Sequence, residues 1–382
     1  MARTRFDEEY MQAKEKALAL LAESETEFAF DVPASVFESG DNMFTVMWTT
    51  TMPACGYVEF TKGGKSYYFS DQTGGTMQVN TVHAVRVPKD LFYGCTYTYA
   101  SRFVAIKFDY DAVQGKTVRS EPITFTEAKG NETLRVLTLS DIHGDFAPVQ
   151  AALSSFKEKA DLIVLNGDIS SSLIFPHQFP ETVLTYAHAL SGGKIPVAYT
   201  RGNHETRGKE AAVMPGFFRT ASGQLRFTFR CGPLWAIVLD GGEDKPDDHI
   251  EYSGLVDFNG YIAEETEWLN GLAKDEDDSI ACRLAFCHYP DVTNRYGHNW
   301  SPKLAELGVQ ALVCGHTHSF ELHCTRFNTD AGFATVIEGG RFDKAEVGNA
   351  YIATMLCIEP NGRVTAESYR ETGEKVADEI IL

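Results

Sequence analysis

Residues 136–145 read VLTLSDIHGD, an apolar run that stops abruptly at Asp141, His143 and Asp145. A run of that length with β-branched members reads as a buried strand, and Asp-x-His at its end marks a place where something binds. Four later runs repeat the pattern. DLIVLNGD (161–168) ends at Asp168, and IPVAYTRGNHE (195–205) carries Asn203 and His204. CRLAFCH (282–288) ends at His288, and VQALVCGHTH (309–318) ends at His316 and His318. One Asp or His after a strand is ordinarily a capping or loop residue. Together these runs supply nine candidate oxygen or nitrogen ligands at five strand ends.

In open α/β sheets, ligands bind outside the carboxyl ends of the strands, so groups far apart in sequence converge at one crevice. Imidazole and carboxylate ligands without thiolate suit Zn, Mn or Fe, and the set is too rich in His for Ca. A single ion would use three or four of the nine. The surplus argues for two ions, divalent or trivalent, with one carboxylate shared between them.

The ordered series DIH at 141–143, GD at 167–168, GNHE at 202–205, His288 and GHTH at 315–318 resembles the calcineurin-like metallophosphoesterase superfamily. The resemblance implies one metal held by Asp141, His143, Asp168 and His318, and another held by Asp168, Asn203, His288 and His316. Asp168 is then the bridge, with each of its oxygens facing a different ion. His204 is implied as the residue that protonates the leaving oxygen without binding metal. Arg201 resembles the phosphate-clamping arginine of the RGNHE motif in protein Ser/Thr phosphatases, with a structural salt bridge as its alternative role. Asp145 and Glu205 are expected to orient ligand imidazoles. His177, His249, His298 and Asp240 are either crevice residues or loop residues, whereas His83, His188 and His323 read as ordinary histidines.

Two metals about 3.5–4 Å apart bind a bridging hydroxide at neutral pH and clamp the phosphoryl oxygens for in-line attack, and a general acid adds about 10²–10⁴-fold. The expected activity is hydrolysis of a small phosphorylated compound, a monoester or a diester. A nuclease and a catalytically silent metal-binding protein are the competing readings. Two departures from relatives narrow the first one. Purple acid phosphatases carry a Tyr three residues after the GD aspartate, where this chain has Ser171, so no iron tyrosinate forms there. Protein Ser/Thr phosphatases read GDxVDRG where this chain reads GDISSSL, which argues against phosphoprotein substrates.

Composition sets outer limits. In 382 residues, 43% hydrophobic and 23% charged content is that of a globular protein with room for two domains. The formal net charge of -19 disfavours extended nucleic acid, because an acidic surface repels a polyphosphate backbone. A small phosphorylated substrate is drawn in by the local charge of the metals. The eight cysteines are scattered without a CxxC pair, and most sit in apolar runs. That usage fits a reducing, cytoplasmic compartment, with a Cys55 to Cys95 disulfide left open. The first residues lack the zoning of a signal peptide, and no apolar span is long enough for a membrane helix.

Along the chain, residues 1–27 are expected to form a helical segment, amphipathic over 7–23. Residues 28–130 hold short β-rich runs separated by Gly, Pro, Asp and Asn, which predicts an antiparallel sandwich. Their order is similar to that of the fibronectin-type domain preceding the catalytic domain of purple acid phosphatases. The polar linker AKGNE (128–132) then leads into residues 131–382, where strands alternate with helices in an α/β metallophosphoesterase domain. Helices are expected from Pro148 to Lys159, over FPETVLTYAHAL, from Asn259 to Ala273, and from Ser301 and Pro302 to Gly308.

Overall fold

The five strands that end in candidate ligands lie in two different sheets. The computed structural model describes residues 5–341 and 351–382, so residues 1–4 of the expected helical segment and 342–350 of the expected catalytic unit lie outside the description. In the larger sheet, Leu134–Leu139, Leu162–Asn166 and Pro196–Thr200 run parallel and adjacent. In the smaller, Leu234–Leu239, Cys282–Cys287, Ala311–Cys314 and Ala334–Glu338 run parallel, with Phe227–Cys231 antiparallel at one edge. These strands read as continuous apolar runs because both of their faces are covered.

Between the sheets, Val136, Leu162, Val164 and Ala198 pack against Phe229, Leu284, Phe286 and Val313. The outer face of the larger sheet, with Leu137, Ile163 and Leu165, is covered by Val149, Ala152, Val183 and Ala187 from two helical segments. The outer face of the smaller sheet, with Ile237, Ala285 and Leu312, is covered by Ile262, Leu269 and Leu304 from two more. Helix, sheet, sheet and helix thus form four layers, and both sets of carboxyl ends open on one rim.

The helices begin and end for local reasons. Phe258–Gly271 is N-capped by Asp257, whose carboxylate accepts from the Gly260 amide at 3.0 Å. Thr185–Ser191 follows a π-turn over Pro180–Leu184 and stops at Gly192, which takes the left-handed conformation. The helix expected from Pro148 to Lys159 spans only Ala147–Leu153. Ser154 donates its hydroxyl to the Ala151 carbonyl instead of supporting another turn.

The β-rich region has two layers around an aromatic core that includes Phe44, Trp48, Phe60, Phe92, Tyr97 and Tyr99. One strand, Met43–Lys62, serves both layers. The sequence suggests a break at Pro53, but the strand continues through it with a register shift between Thr49 and Ala54. Its first half pairs with Asn80–Pro88, and its second with Lys65–Ser70 and Thr96–Lys107. A proline is tolerated where the ladder is already interrupted.

This region is stitched to the metal-site sheet. Ser35–Glu38 pairs parallel with Pro196–Thr200, and Val32, Phe37, Met47 and Ala84 belong to the same core as Leu137 and Leu165. Thr45 donates its hydroxyl to the Phe218 carbonyl at 2.7 Å, and Tyr97 donates to the Gly193 carbonyl at 2.7 Å. Helix Arg5–Glu27 lies over the outer strands, with Tyr10 and Phe108 rings 4.4 Å apart. All eight cysteines are free, Cys55 and Cys95 included. Among the described residues no helix is long and apolar enough to cross a membrane.

Candidate metal centre

The loops that follow the five strands are tied to one another through their backbones. Asp141 and His143 donate their amides to the carbonyls of Gly167 and Asp168, at 3.0 and 2.9 Å. Gly315 donates to the His288 carbonyl at 3.1 Å, and the His316 amide to Asp141 Oδ2 at 3.1 Å. The fit is so close that glycine is required at the contacts. A Cβ on Gly202 would lie 2.2 Å from Asp168 Oδ1, and one on Gly315 would lie 2.5 Å from Ser140 Oγ.

Backbone strain concentrates at the same place. Asp141, His143, Asp168, His316 and His318 all have φ between 49° and 67°, five of the eleven non-glycine residues with positive φ among those described. Side chains other than glycine rarely adopt this conformation, and such strain persists where a site demands a particular aim.

The side chains converge accordingly. His318 Nε2 is 3.2 Å from Asp141 Oδ1 and 3.3 Å from His143 Nε2. His288 Nε2 is 3.2 Å from Asp168 Oδ2 and 3.8 Å from Asp141 Oδ1. His316 Nδ1 lies 3.0 Å from Asn203 Oδ1, and His143 Nε2 lies 3.9 Å from Asp168 Oδ2. Atoms that share one ion at bond lengths of about 2.0–2.2 Å stand roughly 3–3.5 Å apart, so the separations of 3.0–3.3 Å are those of a ligand shell. Three overlapping groups, Asp141, His143, His318, then His143, Asp168, His204, then Asp168, His288, His316, each bring three ligand atoms within 4.8 Å of one another.

The charges of the cluster bear on what it can hold. Burial alone would raise the Asp168 carboxyl, but His288 and the neighbouring imidazoles hold it below the usual carboxylate range, and Asp141 is likewise held low. Burial would lower the His288 imidazole, yet the two carboxylates push it up to about 10. His316 is pushed down to about 4 by burial and by the charge of His288. The two buried carboxylates favour a positive charge beside them. The His288 ring is oriented to serve a metal there, since Nδ1 donates to the Asn166 carbonyl at 2.7 Å and leaves Nε2 facing the cluster. Buried Nε2 of His288 and Oδ1 of Asp141 face other members of the cluster, Asp168 Oδ2 and His318 Nε2, each at 3.2 Å. The residues present fit divalent metal ions.

Other expected residues fall around this centre. His204 stands beside it, with its ring 4.6 Å from that of His143 and its Nδ1 donating to the Ser171 carbonyl at 3.0 Å. Arg201 turns away and pairs through Nε with the buried carboxylate of Asp240 at 2.8 Å; Tyr261 donates to the same carboxylate at 2.9 Å. Asp240 is thus interior, not part of a substrate crevice. Glu205 does not orient an imidazole: it accepts the amides of Asp168, Ser170 and Gly202 at 2.8–2.9 Å and locks the GD loop to the GNHE loop. Asp145 pairs with Arg341 at 2.8 Å. His177 stacks on Phe175, and His249 caps a short helix by accepting from the Glu251 amide. His298 forms a bridge with Arg295.

Sequence reasoning passed over Arg207 and Glu243. Arg207 Nη1 lies 3.3 Å from His204 Nε2, and Glu243 grips the same guanidinium. The one available signal was the position of Arg207 three residues beyond His204, on the same tight turn. Glu338, buried beneath Asp141 and pushed up to about 8 by burial, carried no signal.

No curated protein sequence matches the chain. Among solved structures it is similar to PhoD, at 11% identity over 90% of this chain and 91% of that one, with a TM-score of 0.47. It is also similar to a predicted phosphoesterase from Streptococcus pneumoniae TIGR4, at 13% identity over 65% and 97% of the two chains and a TM-score of 0.30. A third is the phosphopantetheinyl hydrolase PptH from Mycobacterium tuberculosis, at 12% identity over 56% and 91% and a TM-score of 0.34. Residues 134–320 match the family model of the calcineurin-like phosphoesterases, the span that holds all the clustered Asp and His side chains. The chain carries a calcineurin-like phosphoesterase domain and is a metal-dependent phosphoric ester hydrolase.

Proposed function

We propose that the protein is a two-metal phosphoesterase acting on a small phosphorylated compound, a monoester or a diester. Asp168 carries this reading. Its Oδ2 lies between the two ligand groups, 3.9 Å from His143 Nε2 and 3.2 Å from His288 Nε2. Its Oδ1 accepts the His204 amide at 2.8 Å, which fixes the carboxylate in this setting.

Asp141, His143, Asp168 and His318 would hold one ion, and Asp168, Asn203, His288 and His316 the other. Such a pair, when bound, supplies a nucleophile at neutral pH and offsets the charge of the phosphoryl oxygens. The rest falls to the chain. Glu205 fixes the loops of Asp168 and Asn203 together, so the ligands need little reorganisation. His204 keeps its Nδ1 proton on the Ser171 carbonyl, so Nε2, which accepts from Arg207 Nη1 in this structure, would carry the proton for the leaving oxygen once that arginine turns to the substrate. Family likeness gives Arg201 a phosphate-clamping role, but its ion pair with Asp240 supports a structural one here.

The test combines metal loading with leaving groups. Protein loaded with Mn, Zn or Fe is expected to hold two ions per chain and to hydrolyse phosphoesters. His204→Ala should keep both ions and lose kcat by about 10²–10⁴-fold on an alkyl phosphate, with a smaller loss on p-nitrophenyl phosphate. One ion per chain would defeat the two-metal reading, and an equal loss on both substrates would defeat the general-acid role.

A further inference from the structure

Arg207 stands out among the cations near the centre because only one edge of its guanidinium is ion-paired. Nε and Nη2 meet Glu243 Oε1 and Oε2 at 3.1 and 3.4 Å, while Nη1 donates to His204 Nε2 at 3.3 Å. Glu243 is itself buried, and it also accepts from Thr206 Oγ1 at 2.8 Å and from the Tyr252 hydroxyl at 2.9 Å. A carboxylate held by that many donors fixes the guanidinium in one setting, so little rotamer freedom remains to be lost on binding an anion.

Neighbouring cations are differently disposed. Arg201 is buried against Asp240, and Arg295 is buried with its guanidinium on the carbonyls of Gly241 and Glu243. Lys245 is paired with Asp244 and Glu251. The Arg207 side chain remains 34% exposed on the flank of the centre where His204 meets the substrate, which leaves it open to a ligand from solvent.

We propose that Arg207 is a substrate-binding residue that takes an anionic oxygen of the phosphorylated substrate beside His204, with Glu243 as its positioning residue. The inference rests on the phosphoesterase reading and adds to it the group that reads the substrate's charge on the side away from the metals. A guanidinium held by two of its nitrogens on one carboxylate keeps, on its third nitrogen, an N–H beyond the one given to His204, and that N–H is a charge-assisted donor for an oxyanion.

Inorganic phosphate is the probe. Its binding to metal-loaded wild type, R207M, R207K and E243Q is measured by calorimetry, with KM and kcat on p-nitrophenyl phosphate and metal content alongside. R207M is expected to weaken phosphate binding by about 10–100-fold and to raise KM while both ions stay bound. R207K should recover part of the loss, since it keeps the charge without the two-nitrogen grip, and E243Q should lose less than R207M. Wild-type phosphate affinity in R207M, or loss of metal together with phosphate, overturns the inference. Should R207M fail to fold, wild-type affinity in R207K overturns it instead. A wild type that holds its ions yet neither binds phosphate nor hydrolyses the ester removes the phosphoesterase reading itself, whereas an active wild type with an unaffected R207M removes only the role of Arg207.

Discussion

Gly202→Ala is a one-carbon change whose consequences can be worked from distances. The added Cβ would lie 2.2 Å from Asp168 Oδ1 and 2.3 Å from the Asp168 amide nitrogen. Ordinary contacts begin at about 3.5 Å, so the GNHE and GD loops must part by roughly 1 Å. Overpacking of this kind is destabilising by about 1–3 kcal/mol. Parting the loops also stretches the bonds from Gly202 to Glu205 and from the His204 amide to Asp168, each worth about 1–1.5 kcal/mol. The total is about 3–6 kcal/mol, or a fall of roughly 6–24 °C in the Tm of the metal-free protein at about 2–4 °C per kcal/mol. Asp168 moves off its shared position, and metal affinity should drop by at least about 10–100-fold. Thermal melts in chelator give the first quantity, and elemental analysis after dialysis gives the second. Gly216→Ala is the control, because a Cβ there meets nothing within 4 Å. A G202A protein that melts with wild type and keeps its metals would refute the idea that this contact sets the spacing of the two loops.

On the proposal that each imidazole serves one ion and Asp168 serves both, Asp168→Asn should lose more metal than His288→Ala or His318→Ala; equal metal content in the three variants would count against a shared carboxylate. Residues 131–382 alone should be much less stable and less soluble than the full chain, since removal of Ser35–Glu38 uncovers the edge of Pro196–Thr200 and strips Val32, Phe37, Met47 and Ala84 from the core beneath the metal site. A fragment that melts at the full-chain temperature would show the seam to be incidental.

The residue types at the site were legible in the sequence because they cluster just after five apolar runs. The apolar runs before Asp141, Asp168, Asn203, His288 and His316 declare the strands, and the ligands follow within a few residues. Gly202 and Gly315 were visible as motif letters, but the contacts that require them became visible only in three dimensions. Local patterning also placed the β-rich region and most helices.

Tertiary structure alone decided the rest, because those features pair residues whose chain separation has no local signature. The parallel pairing of Ser35–Glu38 with Pro196–Thr200 joins the β-rich region to the metal-site sheet, yet four buried residues show no period to announce it. The division of the ligand strands between two sheets depends on which apolar faces meet, and all five runs are apolar. Arg201 and Arg207 flank the same motif and look equivalent in sequence. What separates them is the partner each meets from across the fold, Asp240 in the interior for one and Glu243 at the open edge of the centre for the other. A carboxylate more than thirty residues away sets where each guanidinium points, and no property of the RGNHETR segment by itself contains that choice.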